Sequence, residues 1–144
     1  IALVEGIFYS EIYDQYYIRL IEAVSNGVIQ SIWTPARFYE KQTTILRLKN
    51  YHEEIVDAAI EFALGQLGKP YSLAVWKNSS STNDYWYCSE LVWASYYHQN
   101  IYLDTDDNNH LGSIVFPNEI KASIELVEIL NYQFSKKHIN SDTN

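Results

Sequence analysis

Cys88 is the residue of this sequence that is best placed for covalent chemistry. It is the only cysteine in 144 residues, and it follows a loop of turn-forming residues at 78–84. Leu91, Val92 and Ala94 then repeat at the spacing of a buried helix face, which predicts that Cys88 opens a helix. Unpaired backbone N–H groups and the helix dipole favour a thiolate there. The placement also fits an inert buried cysteine, the commoner role of a lone one.

A cysteine nucleophile needs an imidazole base, and the sequence offers four histidines. His98 lies ten residues along the predicted Cys88 helix, roughly 15 Å away at the standard rise per residue, and cannot reach the sulfur. His52 falls in the first turn of the preceding helix, and His138 falls in a polar tail. His110 lies in an acidic loop, from which it could reach a cleft or simply face solvent. The residue pattern therefore supplies a candidate nucleophile, Cys88, without identifying the histidine that would act as its base.

Glu22 is the second position of interest, because it interrupts an otherwise apolar strand at 18–24. A carboxylate in such a strand either faces solvent or is held in a cleft for a purpose. Strand alternation places Arg19 and Glu22 on opposite faces, so one of the two could face inward.

The elements that must position these residues follow from periodicity and turn signals. The dipeptide Asn26-Gly27 predicts a hairpin. Asn50 and Glu53 form a capping box at a helix start, Pro35 begins a turn or short helix, and Pro117 begins another turn. The predicted elements are strands at 1–4, 18–24, 28–33, 44–49 and 124–129, and helices at 50–68 and 88–99.

Length and composition predict one globular domain, residues 1–135, followed by a polar tail at 136–144. The net charge of −8 and the scattered basic residues argue against nucleic acid and against electrostatic adsorption to an anionic membrane. No apolar run reaches membrane-spanning length. A single cysteine excludes an internal disulfide and multi-cysteine metal sites. The acidic loop at 104–109 lacks the glycine and the glutamate of a calcium loop, so we expect no metal or cofactor.

Two sequence blocks carry a resemblance to a known family. Gly68-Lys69-Pro70-Tyr71, followed by the block from Tyr87 to Trp93 with Cys88 as its second residue, resembles the NlpC-type cysteine peptidase superfamily. That superfamily has Asp where this chain has Tyr87, and Gly where it has Glu90. The variant is similar to the circularly permuted, YiiX-like branch of bacterial papain-fold hydrolases, to which Pro117-Asn118-Glu119-Ile120 and Ile21-Glu22-Ala23 also correspond.

The resemblance implies roles for individual residues. Cys88 is the expected nucleophile, and Glu22 is expected to orient a histidine that in this branch opens an early strand. The strand at 1–4 corresponds from its second residue, so the histidine would immediately precede Ile1, and we interpret the chain as starting just after it. Tyr71 and Tyr87, next to the nucleophile, are expected to bind substrate.

The expected fold is therefore α+β, permuted and papain-like, with an antiparallel sheet of about five strands packed against the Cys88 helix. The expected function is cysteine-dependent hydrolysis of an amide in a peptide, a peptidoglycan fragment or an acyl-amide. A location in the cell envelope or outside the cell would suit such substrates. A catalytically inactive binding module and a thiol-dependent acyltransferase remain alternatives, and the oligomeric state is not readable from the sequence.

Overall fold

The computed structural model describes residues 1–39, 42–73, 76–105 and 114–132. Strands and helices alternate irregularly along these ranges, so the protein is α+β, as the sequence predicted. Among the described helices, none combines the length and the apolarity that crossing a membrane requires. The elements are β1 (Leu3–Ser10), β2 (Gln15–Val24), β3 (Gly27–Trp33), α1 (Pro35–Tyr39), β4 (Thr43–Leu48), α2 (Glu53–Leu64), α3 (Cys88–Tyr97), α4 (Pro117–Ala122) and β5 (Leu126–Tyr132).

The first three strands form an antiparallel sheet in the order β1-β2-β3. Strand β1 begins at Leu3 and runs beyond the predicted end at Val4, with Glu5 as a bulge where the register shifts between Val4 and Gly6. The predicted hairpin is present, but its two-residue turn is Ser25-Asn26, one residue earlier than predicted, because Val24 pairs with Gly27. Gly27 has a φ of 100°, a conformation that favours glycine.

The remaining two strands, β4 and β5, form a separate antiparallel pair. The sequence predicted one sheet of about five strands, whereas the five described strands divide between two sheets. Between the two sheets the chain turns at Pro35, which lacks a backbone N–H, from β3 into α1. The final strand also starts at Leu126, two residues later than predicted.

The start of α2 differs from the predicted capping box. The helix begins at Glu53 after His52, and no side chain caps it. The backbone N–H of Lys49 donates instead to the carbonyl of Glu125 at 2.9 Å, which extends the β4–β5 ladder. The chain bends at Lys49 and Asn50, and the helix begins three residues after Asn50.

Helix α3 is the centre of the core. Its residues from Ser89 to Ser95 are all buried, because β2 covers one side and α2 another. The core cluster draws on both ends of the chain, and it contains Leu3, Ile21, Ala23, Val28, Ala63, Trp86, Leu91, Val92, Trp93, Ala94, Leu103, Val115 and Ile120. The predicted tail at 136–144 and most of the acidic loop lie outside the described residues.

Candidate active site

Cys88 is the first residue of α3, as the sequence predicted. It is a free, half-buried cysteine, and the residue before it, Tyr87, is extended with φ −105° and ψ 166°. The sulfur therefore lies where the chain turns from extended backbone into a helix, next to backbone N–H groups that have no partner within the helix. N–H groups at such a helix start can donate to the oxyanion of an attacked carbonyl.

The segment that leads into Cys88 is held by the Gly68-Lys69-Pro70-Tyr71 block. The N–H of Trp86 donates to the carbonyl of Pro70 at 3.1 Å, and Trp86 accepts from the N–H of Ser72 at 3.3 Å. Tyr71 and Trp86 thus form a parallel bridge. Tyr71 is 37% exposed, and its backbone lies beside that of Trp86, two residues before Cys88.

The same block docks onto the β2–β3 hairpin. The N–H of Val28 donates to the carbonyl of Lys69, and the N–H of Gly68 donates to the carbonyl of Val28, each at 2.9 Å. A Cβ atom at Gly27 would lie 2.6 Å from the carbonyl oxygen of Lys69. The hairpin turn therefore needs glycine both for its φ angle and for this contact.

Lys69 is a residue whose role the sequence did not reveal. Its ammonium donates to Gln66 Oε1 at 2.8 Å, to the carbonyl of Ser81 at 2.7 Å and to the carbonyl of Asn83 at 2.6 Å. The indole N–H of Trp86 also donates to Gln66 Oε1, at 3.2 Å. One buried amide and one ammonium thus tie the loop before Cys88 to the end of α2.

Tyr87 does not fit the substrate-binding role that the sequence suggested. Its side chain is only 1% exposed, and its hydroxyl accepts from the N–H of Val115 at 2.9 Å. Ser89 Oγ donates to the carbonyl of the same residue at 2.6 Å. Burial raises the pKa of Tyr87 well above its usual range. Its position in the core makes it a support for the start of α3 and leaves no ring surface for a ligand.

Glu90 is a second buried residue at the start of α3. Its carboxylate is fully buried and accepts from the N–H groups of Asn78, at 2.8 Å, and Tyr87, at 3.4 Å. Burial raises the pKa of Glu90 to about 7, and the two N–H donors only partly offset this. A glutamate three residues after the residue that precedes a helix has the spacing of a capping box, and this spacing could have identified Glu90 from the sequence.

Glu22 is 5% exposed and lies in a network of polar side chains. Arg37 of α1 donates to both carboxylate oxygens, and Ser31 of β3 donates to Oε1. The hydrogen bonds from Arg37 are the main reason that the pKa of Glu22 lies below its usual range. Burial opposes them, and the hydrogen bond from Ser31 and the positive charge of Arg37 add to the lowering.

The sheet separates Glu22 from Arg19, as alternation predicted. Arg19 lies on the same face as Ile21 and Ala23, which belong to the core around α3. Its guanidinium pairs with Glu5, the residue at the bulge. Strand β2 therefore packs against α3 through the face of Ile21 and Ala23. The Glu22 carboxylate lies on the other face of the strand, where it meets Arg37 of α1. Among the described residues, no hydrogen bond or ion pair joins Glu22 to Cys88.

Neither described histidine lies at the sulfur. His52 precedes α2 on the surface. His98 ends α3, where its ring stacks on Phe62 with 4.6 Å between centroids and its Nε2 lies 2.5 Å from the carbonyl of Ser79. His110 and His138 fall outside the described residues. In the described ranges, no group of three or more His, Cys, Asp or Glu side chains is arranged to hold a metal ion.

Comparison with known proteins places the chain in a family. Residues 6–141 match the family described as permuted papain-like amidase enzymes, YaeF/YiiX, C92. No curated protein and no solved structure matches the chain. The match spans almost the entire chain and contains both blocks that carry the resemblance, together with Cys88 and Glu22. The protein therefore belongs to the permuted papain-like amidase family YaeF/YiiX, C92.

Proposed function

We propose that this protein is a cysteine-dependent amidase in which Cys88 attacks the carbonyl carbon of an amide. One observation carries the proposal: Cys88 opens α3 half-buried, whereas the seven residues after it are buried. Cys88 is therefore the residue at this helix start that a ligand can reach. The family supplies the reaction class, and the position of the thiol supplies the nucleophile.

The reaction follows from the atoms at the helix start. The thiolate forms a bond to the carbonyl carbon, and the negative charge that develops on the carbonyl oxygen accepts hydrogen bonds from first-turn N–H groups. The C–N bond then breaks as an imidazolium gives its proton to the departing amine. Water hydrolyses the resulting thioester, which releases the acid and returns the thiol.

The imidazole, in this proposal, comes from the residue that precedes Ile1 in the natural protein. Leu3 pairs with Ile21. The same antiparallel register, continued by three residues, puts that position opposite Val24 and diagonal to Glu22, a separation that a long side chain bridges.

The substrate class we propose is a peptide or acyl-amide, with peptidoglycan fragments as the first choice. Exposed aromatic rings at Tyr71 and Tyr85 flank the segment that leads into Cys88. Such rings offer an apolar face and a polar hydroxyl, which suits stem peptides, sugars and acyl chains.

The test uses the natural full-length protein with a peptidoglycan digest and with a panel of N-acyl amides. Hydroxylamine added during turnover should trap the thioester as a hydroxamate, and mass spectrometry should find the acyl adduct on Cys88 in its absence. Cys88→Ala should abolish both products, whereas the exposed-loop variant Thr82→Ala should retain them. Unchanged hydrolysis by Cys88→Ala would rule out the proposal.

Two other outcomes would reassign the protein. Transfer of the acyl group to an added amine in preference to water would identify an acyltransferase. Saturable binding of the fragments without any adduct on Cys88 would identify a binding module.

A further inference from the structure

Arg37 forms a bidentate pair with Glu22. Its Nη1 donates to Oε1 at 2.7 Å and its Nη2 donates to Oε2 at 2.5 Å. Ser31 Oγ donates to Oε1 at 2.5 Å, and Arg37 Nη1 lies 3.2 Å from the same hydroxyl. The three side chains thus form a closed network around a buried carboxylate, and a planar guanidinium fixes both of its oxygens.

Local structure holds Arg37 in this position. Ser31 pairs with Leu20 and Glu22 pairs with Ile29, so Ser31 and Glu22 share one face of the sheet. Helix α1 follows β3 immediately, and the N–H of Arg37 donates to Thr34 Oγ1 at 3.3 Å. The turn between β3 and α1 therefore carries the guanidinium back over the carboxylate.

The network leaves one acceptor position open. A carboxylate has about four acceptor positions, two on each oxygen. Among the described residues, Oε1 accepts from Arg37 and from Ser31, whereas Oε2 accepts from Arg37 alone. An imidazole N–H that approaches Glu22 therefore meets a carboxylate whose rotamer is fixed and whose remaining acceptor position is on Oε2.

We propose that Arg37 is a positioning residue of the amidase site, one that fixes the Glu22 carboxylate so that Oε2 receives the N–H of the catalytic imidazole. The proposal rests on the function proposed for Cys88. Arg37 acts through Glu22 and touches no reacting atom.

The electrostatic reason is that Glu22 is buried. Without Arg37, burial would favour the protonated acid, which offers a hydrogen-bond donor where the site needs an acceptor. With Arg37 and Ser31, the pKa of Glu22 stays below its usual range. The carboxylate then stabilises an imidazolium, which in turn stabilises the thiolate.

The test measures alkylation of Cys88 by iodoacetamide in the natural full-length protein, which requires no knowledge of the substrate. The readout is the ratio of the labelling rates at about pH 6 and about pH 9, because only an imidazolium-paired thiolate reacts well at the lower pH. Arg37→Met should lower this ratio by about tenfold, the effect of losing roughly one pKa unit of charge stabilisation. Arg37→Lys, which keeps the charge without the bidentate geometry, should recover part of it.

Arg19→Met is the matched control. Arg19 also donates through two nitrogens to a buried strand carboxylate, that of Glu5, but on the opposite face of the sheet. Its removal should cost comparable stability and leave the labelling ratio unchanged. A fall equal to that of Arg37→Met would mean that the effect is general destabilisation.

Glu22→Gln separates the two proposals. If it lowers the ratio while Arg37→Met does not, Glu22 keeps its role and the positioning role of Arg37 is wrong. If neither variant changes the ratio, Glu22 does not support an imidazole, and that part of the proposed function is wrong as well. Loss of all labelling in Cys88→Ala confirms that the signal belongs to the site.

Discussion

Two buried carboxylates in this protein have pKa values that move in opposite directions, and their partners explain why. Glu22 receives a guanidinium and a hydroxyl, so its pKa falls despite burial. Glu90 receives only two backbone N–H groups, so burial dominates and its pKa rises to about 7. A formal charge among the partners therefore decides which carboxylate stays ionised at neutral pH.

Glu90→Gln should make stability less dependent on pH. The pKa of Glu90 is about 7 in the folded protein and 4.5 in the reference state, so its contribution is fully present below about pH 4.5 and is lost as the pH rises through 7. Relative to wild type, the variant should gain up to about 3 kcal/mol at about pH 8 and nothing comparable at about pH 5. Urea unfolding at both pH values measures this, with the exposed Glu128→Gln as control. An equal difference at both pH values would contradict it.

Glu22→Gln should show the opposite sign. The folded pKa of Glu22 is lowered, so its contribution to stability is present above the reference value of 4.5 and is lost as the pH falls through the folded value. The variant should be less stable than wild type at neutral pH, and the difference should shrink in acid. The same unfolding series checks this, and a deficit that persists unchanged in acid would show that packing, not charge, is responsible.

At the scale of elements, contact between the β2–β3 hairpin and the Gly68-Lys69 backbone sets where the Cys88 helix begins. The hairpin holds Lys69, Pro70 carries the pairing on to Trp86, and Cys88 follows two residues later. Backbone contacts thus link Gly27, through Lys69 and Pro70, to the segment that immediately precedes the thiol.

Gly27→Ala should therefore destabilise the protein more than Gly68→Ala. Both glycines have positive φ, 100° and 82°, so both substitutions impose backbone strain of about 1–3 kcal/mol. Only the Cβ at position 27 would meet a backbone oxygen, at 2.6 Å, whereas nothing lies within 4 Å of the one at position 68. Thermal unfolding of the two variants isolates the contact. Equal losses would mean that strain alone matters at Gly27.

Local signals predicted the elements better than their arrangement. The hairpin near Asn26-Gly27 and the helix at Cys88 follow from turn chemistry and periodicity, and the structure contains both. The division into two sheets depends on which distant strands pair, and Arg37 meets Glu22 only because α1 folds back over β3. Such contacts leave no periodic trace in the sequence. The roles of Cys88, Glu22 and Tyr71 remain predictions.

At the scale of the whole molecule, one core serves both sheets. Leu3 from β1 and Ile120 from α4 belong to the cluster around α3, and Leu126 from β5 packs against it. Elements that share one core lose their packing together when it is disrupted. The described part of the chain should therefore unfold as a single unit, which is also what the sequence predicts for residues 1–135.

Leu91→Ala tests this unity, because Leu91 is fully buried at the centre of α3. The substitution should cost about 2–5 kcal/mol through lost burial and a residual cavity. Far-UV circular dichroism follows both sheets, whereas tryptophan fluorescence includes the buried Trp86 and Trp93. The two transitions should coincide in wild type and shift together in the variant, with the exposed Leu73→Ala unshifted. A variant whose fluorescence transition moves while part of the dichroism signal stays in place would show that β4 and β5 form an independent unit.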